Sequence, residues 1–410
     1  MNSPSHTTHG HDAAHERLVL GAVTVLAVAG LGSGMSQRVM DPLLPRLGLE
    51  FGVPVSAAAW VITCFSLGYA VSQLFFGPVG DRFGKLRVIT WGCGGCAVAT
   101  LACAFAPGLG SLVAARITAG VMSAALIPLA MAWIGDSVPY ERRQPVLARF
   151  SIGQILGVAL GQLLGGLSAD HLGRHVPFVV IATLFAVSTV LLQRMRKGLD
   201  APVAAQRASA GAAGLLREFL LVLREPWART VMLSVFLEGA FVLGAFAFFA
   251  THLHRTLDIS LTLAGSAAML FGLGGLVFAF SARRLLGRIG EFGLISLGGT
   301  IVMAMMITVA LAPNLSVVAA ACFTMGLGFY MLHNTLQTNA TQMAPERRGA
   351  AVAAFALSYF MGQALGVAVA GQALAALGST GMIGVAACGA LLTALNFARR
   401  SGQRHSAQAR

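Results

Sequence analysis

The stretch GPVGDRFGKLRV, residues 77–88, lies between two long apolar runs. Glycines at 77, 80 and 84 set among Asp81, Arg82, Lys85 and Arg87 first suggest a loop that cradles phosphate. A P-loop or dinucleotide fold needs a strand before such glycines and a soluble helix after them. Both flanks here are instead apolar over roughly 20 residues, the length that crosses a bilayer. The stretch therefore reads as a short loop joining two membrane helices.

The rest of the chain agrees. Of its 410 residues 56% are hydrophobic and only 10% charged, and the mean hydropathy is +0.77. A soluble surface usually carries about 25% charged residues, so the fold class expected is an all-α membrane protein. Barrel strands would alternate in units of about ten residues, and no such pattern is present. Twelve runs qualify, near 18–40, 56–76, 87–106, 110–135, 147–168, 176–194, 230–251, 263–282, 293–312, 315–338, 349–374 and 380–398. The last two are divided by the turn-like Gly378-Ser379-Thr380-Gly381.

Charge placement sets the orientation. With both termini cytoplasmic, 23 of the 28 Lys and Arg residues fall on the inner side, Arg38, Arg46, Arg174 and Arg255 on the outer side, and Arg116 within the fourth helix. The net charge of +13 is thus the positive-inside bias. It does not imply nucleic acid, because no basic stretch is interleaved with aromatics. The six cysteines, 64, 93, 96, 103, 322 and 388, fall inside predicted helices and read as packing residues. No metal site is expected, since Cys93 and Cys96 lack a second pair at zinc spacing.

The chain divides into a cytoplasmic tail (1–16), a six-helix bundle (17–194), a cytoplasmic linker (195–228), a second six-helix bundle (229–398) and a tail (399–410). The N-terminal tail, with His6, His9, His11 and His15, reads as disordered rather than as a signal peptide. Within the linker, LLREFLLVLRE reads as a surface amphipathic helix. The bundles echo each other: Glu141-Arg142-Arg143 recurs as Glu346-Arg347-Arg348, and Gly157, Leu160 and Gly161 recur as Gly362, Leu365 and Gly366, all 205 positions on. The opening stretch has a weaker echo, GRIG at 287–290, which lacks the acid. A duplicated six-helix unit follows, and such repeats suit a transporter that rocks about a midplane site.

On these residues the chain resembles the major facilitator superfamily, whose signature places a Gly and an Asp-Arg/Lys-x-Gly-Arg/Lys group between the second and third helices. Gly77, Asp81, Arg82, Gly84 and Lys85 match, and the next basic residue is displaced to Arg87. The resemblance implies that Asp81 contacts the start of the eleventh helix and locks the halves on the inside when the transporter opens outward, with Asp136 in the same charge cluster. It implies a central cavity lined by the first, fourth, seventh and tenth helices. Arg116 with Gly120 resembles the family's Arg-x-x-x-Gly element, tied in proton-coupled antiporters to proton transfer. The fifth helix resembles the antiporter signature of the drug-export branch: Gly157, Gly161, Gly165 and Gly166 match, and Gln162 replaces the proline.

Ionisable groups inside a membrane are functional candidates, because each costs at least about 2.5–3.5 kcal/mol to insert. Glu238 is the one carboxylate placed near mid-membrane, about nine residues into its helix, and suits reversible protonation. Arg116 needs acceptors at its depth. Asp41 is a candidate partner and a candidate proton carrier, although it also shares a helix face with Arg38. Further cavity candidates are Gln37, Arg38, Tyr69, Met122, Leu126, Gln154, Phe236, Phe241, His333, Asn334, Gln337 and Gln363. His333 suits snorkelling as well as a proton relay.

The function expected is proton-coupled export of a small amphipathic or drug-like molecule by alternating access. It needs no cofactor beyond the proton gradient, and its partners are the substrate, protons and the lipid bilayer. A monomer in a bacterial inner membrane is expected. The alternative is proton-coupled transport of a sugar, organic acid or other metabolite, with Arg38 and Arg116 binding carboxylate. A non-transporting receptor and an enzyme fit less well, and no nucleotide, zinc or Ser/His/Asp motif is present.

Overall fold

The structure is a computed structural model that describes residues 6–196, 198–199 and 212–408. Among the described residues ten helices are long and apolar enough to cross a membrane: α1 (Glu16–Arg38), α2 (Val55–Phe83), α3 (Lys85–Ala104), α4 (Leu109–Ser137), α5 (Tyr140–Leu172), α6 (His175–Arg196), α7 (Pro226–Thr256), α8 (Leu261–Leu311), α9 (Leu315–Ala340) and α10 (Pro345–Arg404). Two of them hold two predicted runs each. Helical dihedrals fail inside α8 at Gly290 (φ 64°, ψ −177°) and inside α10 at Gly378 (φ 70°, ψ 172°). That backbone region is open to glycine and costly to other residues.

The helix that contains α1 begins at His6, within the stretch expected to be a tail. Residues 1–5 and 409–410, and 197 and 200–211 of the expected linker, lie outside the described residues. The helix expected in the linker spans Ala212–Arg224.

Small residues let the helices meet backbone to backbone, and their contacts repeat. In the first half, a Cβ on Gly157 would meet the carbonyl oxygen of Leu31, and one on Gly161 would meet Met35. In the second half, 205 positions on, Gly362 abuts Phe236 and Gly366 abuts Ala240. Gly34 against Gln154 likewise returns as Gly239 against Tyr359. At an offset of 206, Gly68 on Ile117 returns as Gly274 on Phe323, and Gly120 on Phe65 returns as Gly326 on Phe271. The echo read in the sequence is a repeat of contacts in space.

The halves meet along two seams, α5 with α8 and α2 with α10. At the end of the molecule away from Gly84, Gly166 abuts Leu261 and Thr262, and its repeat counterpart Gly371 abuts Ser56. Deeper along the first seam Gly265 meets Gln162, and Gly272 meets Ala159. On the second seam the rings of Tyr69 and Phe360 lie 4.1 Å apart.

Candidate functional site

Three polar clusters sit between the helices. The first is built on α4. Arg116 is fully buried, and its guanidinium donates to the Val61 carbonyl (3.3 Å), the Ser36 hydroxyl (3.2 Å) and the Ser36 carbonyl (2.8 Å). It also lies 4.0 Å from the centre of the Phe65 ring. A desolvated cation over a ring gains about 2 kcal/mol. Gly120, one turn on, lets the Phe65 backbone approach, so both matched residues of the Arg-x-x-x-Gly element hold Phe65. The charge is thus satisfied by neutral acceptors on α1 and α2, and the Arg116–Asp41 pairing considered from the sequence is not made.

Asp41 belongs to the second cluster. Arg38 Nη1 lies 3.5 Å from its Oδ2, three residues away. Gln162 Nε2 donates to the same oxygen at 2.7 Å. All three residues are buried. The residue standing where the antiporter signature has proline is therefore a hydrogen-bond donor linking α5 to the end of α1. Arg38 also faces the Phe246 ring of the second half at 5.6 Å.

The third cluster joins α7 and α9. His333 Nδ1 and Glu238 Oε2 are 2.8 Å apart, with the carboxylate buried. The backbone leaves α-helical geometry immediately after Glu238, in a π segment at Gly239–Leu243, a feature frequent at functional sites. Aromatic rings hold the imidazole: Phe329 stacks on it at 5.3 Å, with Tyr359 at 4.7 Å and Phe355 at 5.7 Å. Tyr359 lies within electrostatic reach of Arg38, Glu238, Tyr330 and Tyr69. Ring contacts run from His333 through Tyr359, Phe360 and Tyr69 to Phe65, beneath Arg116. His333 therefore does not snorkel; it is the partner of Glu238.

Other candidates separate. Met122 and Leu126 pack against Gly95 and Gly92 of α3, and the Phe241 ring packs against Gly389 in the last part of α10. The Phe236 backbone abuts Gly362, and Gln363 is buried behind Gly239. Gln37 donates to Ser33 on its own helix at 3.5 Å. Gln154 is half-buried, whereas Asn334 and Gln337 are exposed. Gly157, Gly161 and Gly165 face α1, but Gly166 faces the other half.

In the opening stretch the chain turns at Gly84, and Gly80 admits the Leu129 side chain. A Cβ on Gly77 would meet nothing within 4 Å, so the close packing of this stretch falls on Gly80. Lys85 bonds Asp136 and lies 3.8 Å from Asp81, which is 59% exposed. Arg82 lies over Phe83, and Arg87 is half-buried. Among the described residues Asp81 makes no bond to the start of α10; the resemblance places that contact in the outward-open form. A Cβ on Gly349 there would meet open space.

Sequence reasoning missed Ser36, Phe65, Tyr359, Phe360 and Asp170. None carries a signal of its own, because each acts through a neighbour distant in the chain.

The profile of the Major Facilitator Superfamily matches residues 26–367. The chain belongs to that family. It is 30% identical over 414 residues to the puromycin resistance protein pur8 of Streptomyces alboniger, covering 85% of this chain and 80% of that one. It is 24% identical to YceJ, an MFS-type transporter of Bacillus subtilis (strain 168), over 82% of this chain and 85% of that one. Among solved structures, the nucleoside transporter NupG shares the fold with a TM-score of 0.72 at 14% identity, covering 92% of this chain and 98% of that one. The protein is a multi-pass membrane transporter and not an enzyme.

Proposed function

We propose that this protein exports a small amphipathic or drug-like molecule across a bacterial inner membrane in exchange for protons. The observation that carries the coupling is the Glu238–His333 pair, a buried carboxyl and imidazole 2.8 Å apart. With one proton between them the pair is net neutral, and releasing that proton leaves one negative charge on the carboxylate beside a neutral imidazole. Glu238 Oε1 is buried with no hydrogen-bond partner, so one carboxylate oxygen is uncommitted. The aromatic rings around the pair suit a lipophilic substrate. The relative named for puromycin resistance supports the export direction.

On this reading α8 and α10 each cross twice, giving twelve crossings with both termini cytoplasmic. Fifty-one residues of continuous helix would span roughly 76 Å, far beyond a bilayer core of about 30 Å. The end carrying Gly84 is then the inner face, and the closed seam at Gly166 and Gly371 is the outer one. The protein acts by alternating access as a monomer, with the Gly84 loop as its inner gate. Arg116 holds α1 and α2 to α4 rather than meeting substrate, because each of its three guanidinium nitrogens already has an acceptor.

Everted vesicles test the proposal. Puromycin and a panel of lipophilic cations should accumulate when a proton gradient is imposed. Accumulation that survives collapse of the gradient contradicts the coupling.

A further inference from the structure

The outer seam carries a carboxylate that none of the motifs includes. Asp170 lies in the π segment Ser168–Leu172 at the end of α5. Its Oδ2 accepts from the Thr262 amide at 2.6 Å and from the Thr262 hydroxyl at 2.7 Å, and its Oδ1 accepts from the Leu261 amide at 3.3 Å. Those amides belong to the first turn of α8, in the other half of the molecule. The next one, of Leu263, is bonded by the Ser260 side chain. A carboxylate at a helix start both satisfies orphan amides and meets the positive end of the helix dipole.

The base of this contact is fixed on the first half. Four residues after Asp170, Arg174 bonds Glu50 (2.5 Å) and the Ala106 carbonyl (2.9 Å) and lies over the Phe51 ring. Beside the acid, Gly166 lets the α8 backbone close in. The repeat-related seam has the glycine contact, Gly371 on Ser56. It lacks the acid, because the position 205 residues after Asp170 is Ala375, although Ser56 stands 206 residues before Thr262.

We propose that Asp170 is a positioning residue of the transport cycle, the latch of the outer seam. It holds the outer ends of the two halves together while the inner end is parted, and it releases the first turn of α8 when the outer end opens. It is the counterpart of Asp81, which is free of the other half in this same state. The inference rests on reading the chain as an alternating-access transporter with the Gly84 loop inside.

The test reads the seam directly. Spin labels are introduced through non-natural residues at Leu49 and Leu377, exposed positions on the outer ends of the two halves. Distances are recorded on the full chain without substrate or proton gradient, so a failure of proton coupling leaves the result readable. Asp170→Ala should raise the ratio of seam-open to seam-closed molecules by about tenfold, and Asp170→Glu should keep the parent ratio more closely. An unchanged distribution in Asp170→Ala overturns the proposal. Should that variant fail to fold, a cysteine pair at Asp170 and Thr262 decides. Its oxidation should stop transport and its reduction restore it, whereas transport at the parent rate in the oxidised chain overturns the latch.

Discussion

The two halves share a packing skeleton and differ in their charges. Gly120 meets Phe65 in one half as Gly326 meets Phe271 in the other. Yet the acidic and basic groups of the three clusters and the outer seam, and Gln162 with them, have no like counterparts at the repeat offsets of 205 and 206. Arg116 corresponds to Cys322, Glu238 to Ser33, His333 to Ile127, Gln162 to Val367 and Asp170 to Ala375. Helix packing in a membrane rests on small residues, so the duplication keeps its glycines. Charges are costly at depth and stand only where one half uses them. The first half holds its helices around an engaged cation, and the second holds the acid–base pair.

The largest effects should fall on the shared skeleton. Leucine at Gly120 or at Gly326 drives a side chain into a backbone carbonyl, and overpacking by even one methylene costs about 1–3 kcal/mol. Each substitution should reduce the monodisperse, detergent-extracted yield by about tenfold or more, measured by size exclusion. If one half tolerates leucine, the comparison of skeletons breaks.

Arg116 sharpens the contrast in charge. Arg116→Ala leaves the Ser36 and Val61 acceptors buried without their donor, at about 1–3 kcal/mol each. Transport should fall by roughly 100-fold, and Arg116→Lys should not restore it because an ammonium lacks the planar fork. Cys322→Ala, at the matching position, should stay near parental activity in the same uptake assay.

Gln162→Val copies the second half into the first and removes the donor to Asp41. A double-mutant cycle with Asp41→Asn, read from thermal stability, should show a coupling of about 1 kcal/mol. Additive effects would mean that the contact does not hold α5 to the end of α1.

The smallest effect on stability belongs to Asp81. Its ion pair with Lys85 is exposed, and such pairs contribute at most about 1 kcal/mol. Asp81→Asn should leave equilibrium substrate binding near normal while turnover slows severalfold. Weak binding with normal turnover would refute its role as a gate.

The helix breaks, the glycine stripe and the duplication were legible because they are periodic or local: the Gly378 turn stands in its own tetrapeptide, and Gly157 and Gly362 announce each other by spacing. Glu238 was legible as a charge where charge is costly. Its partner was not, because nothing near His333 in the chain points to a helix 95 residues away. Gln162 read as a departure from a motif, and its bond to Asp41 exists only once α5 lies on α1. The π segment after Glu238 and the Asp170 contact depend on packing across helices, and no pattern along the chain encodes them.

The central claim is that Glu238 and His333 carry the proton, and proteoliposomes with a pH-sensitive dye inside test it most directly. The parent should move protons when substrate is added and accumulate substrate against its gradient when a proton gradient is imposed. Glu238→Gln should still equilibrate substrate across the membrane but lose both the proton flux and the accumulation. Proton-driven accumulation at the parental level in Glu238→Gln would contradict the account.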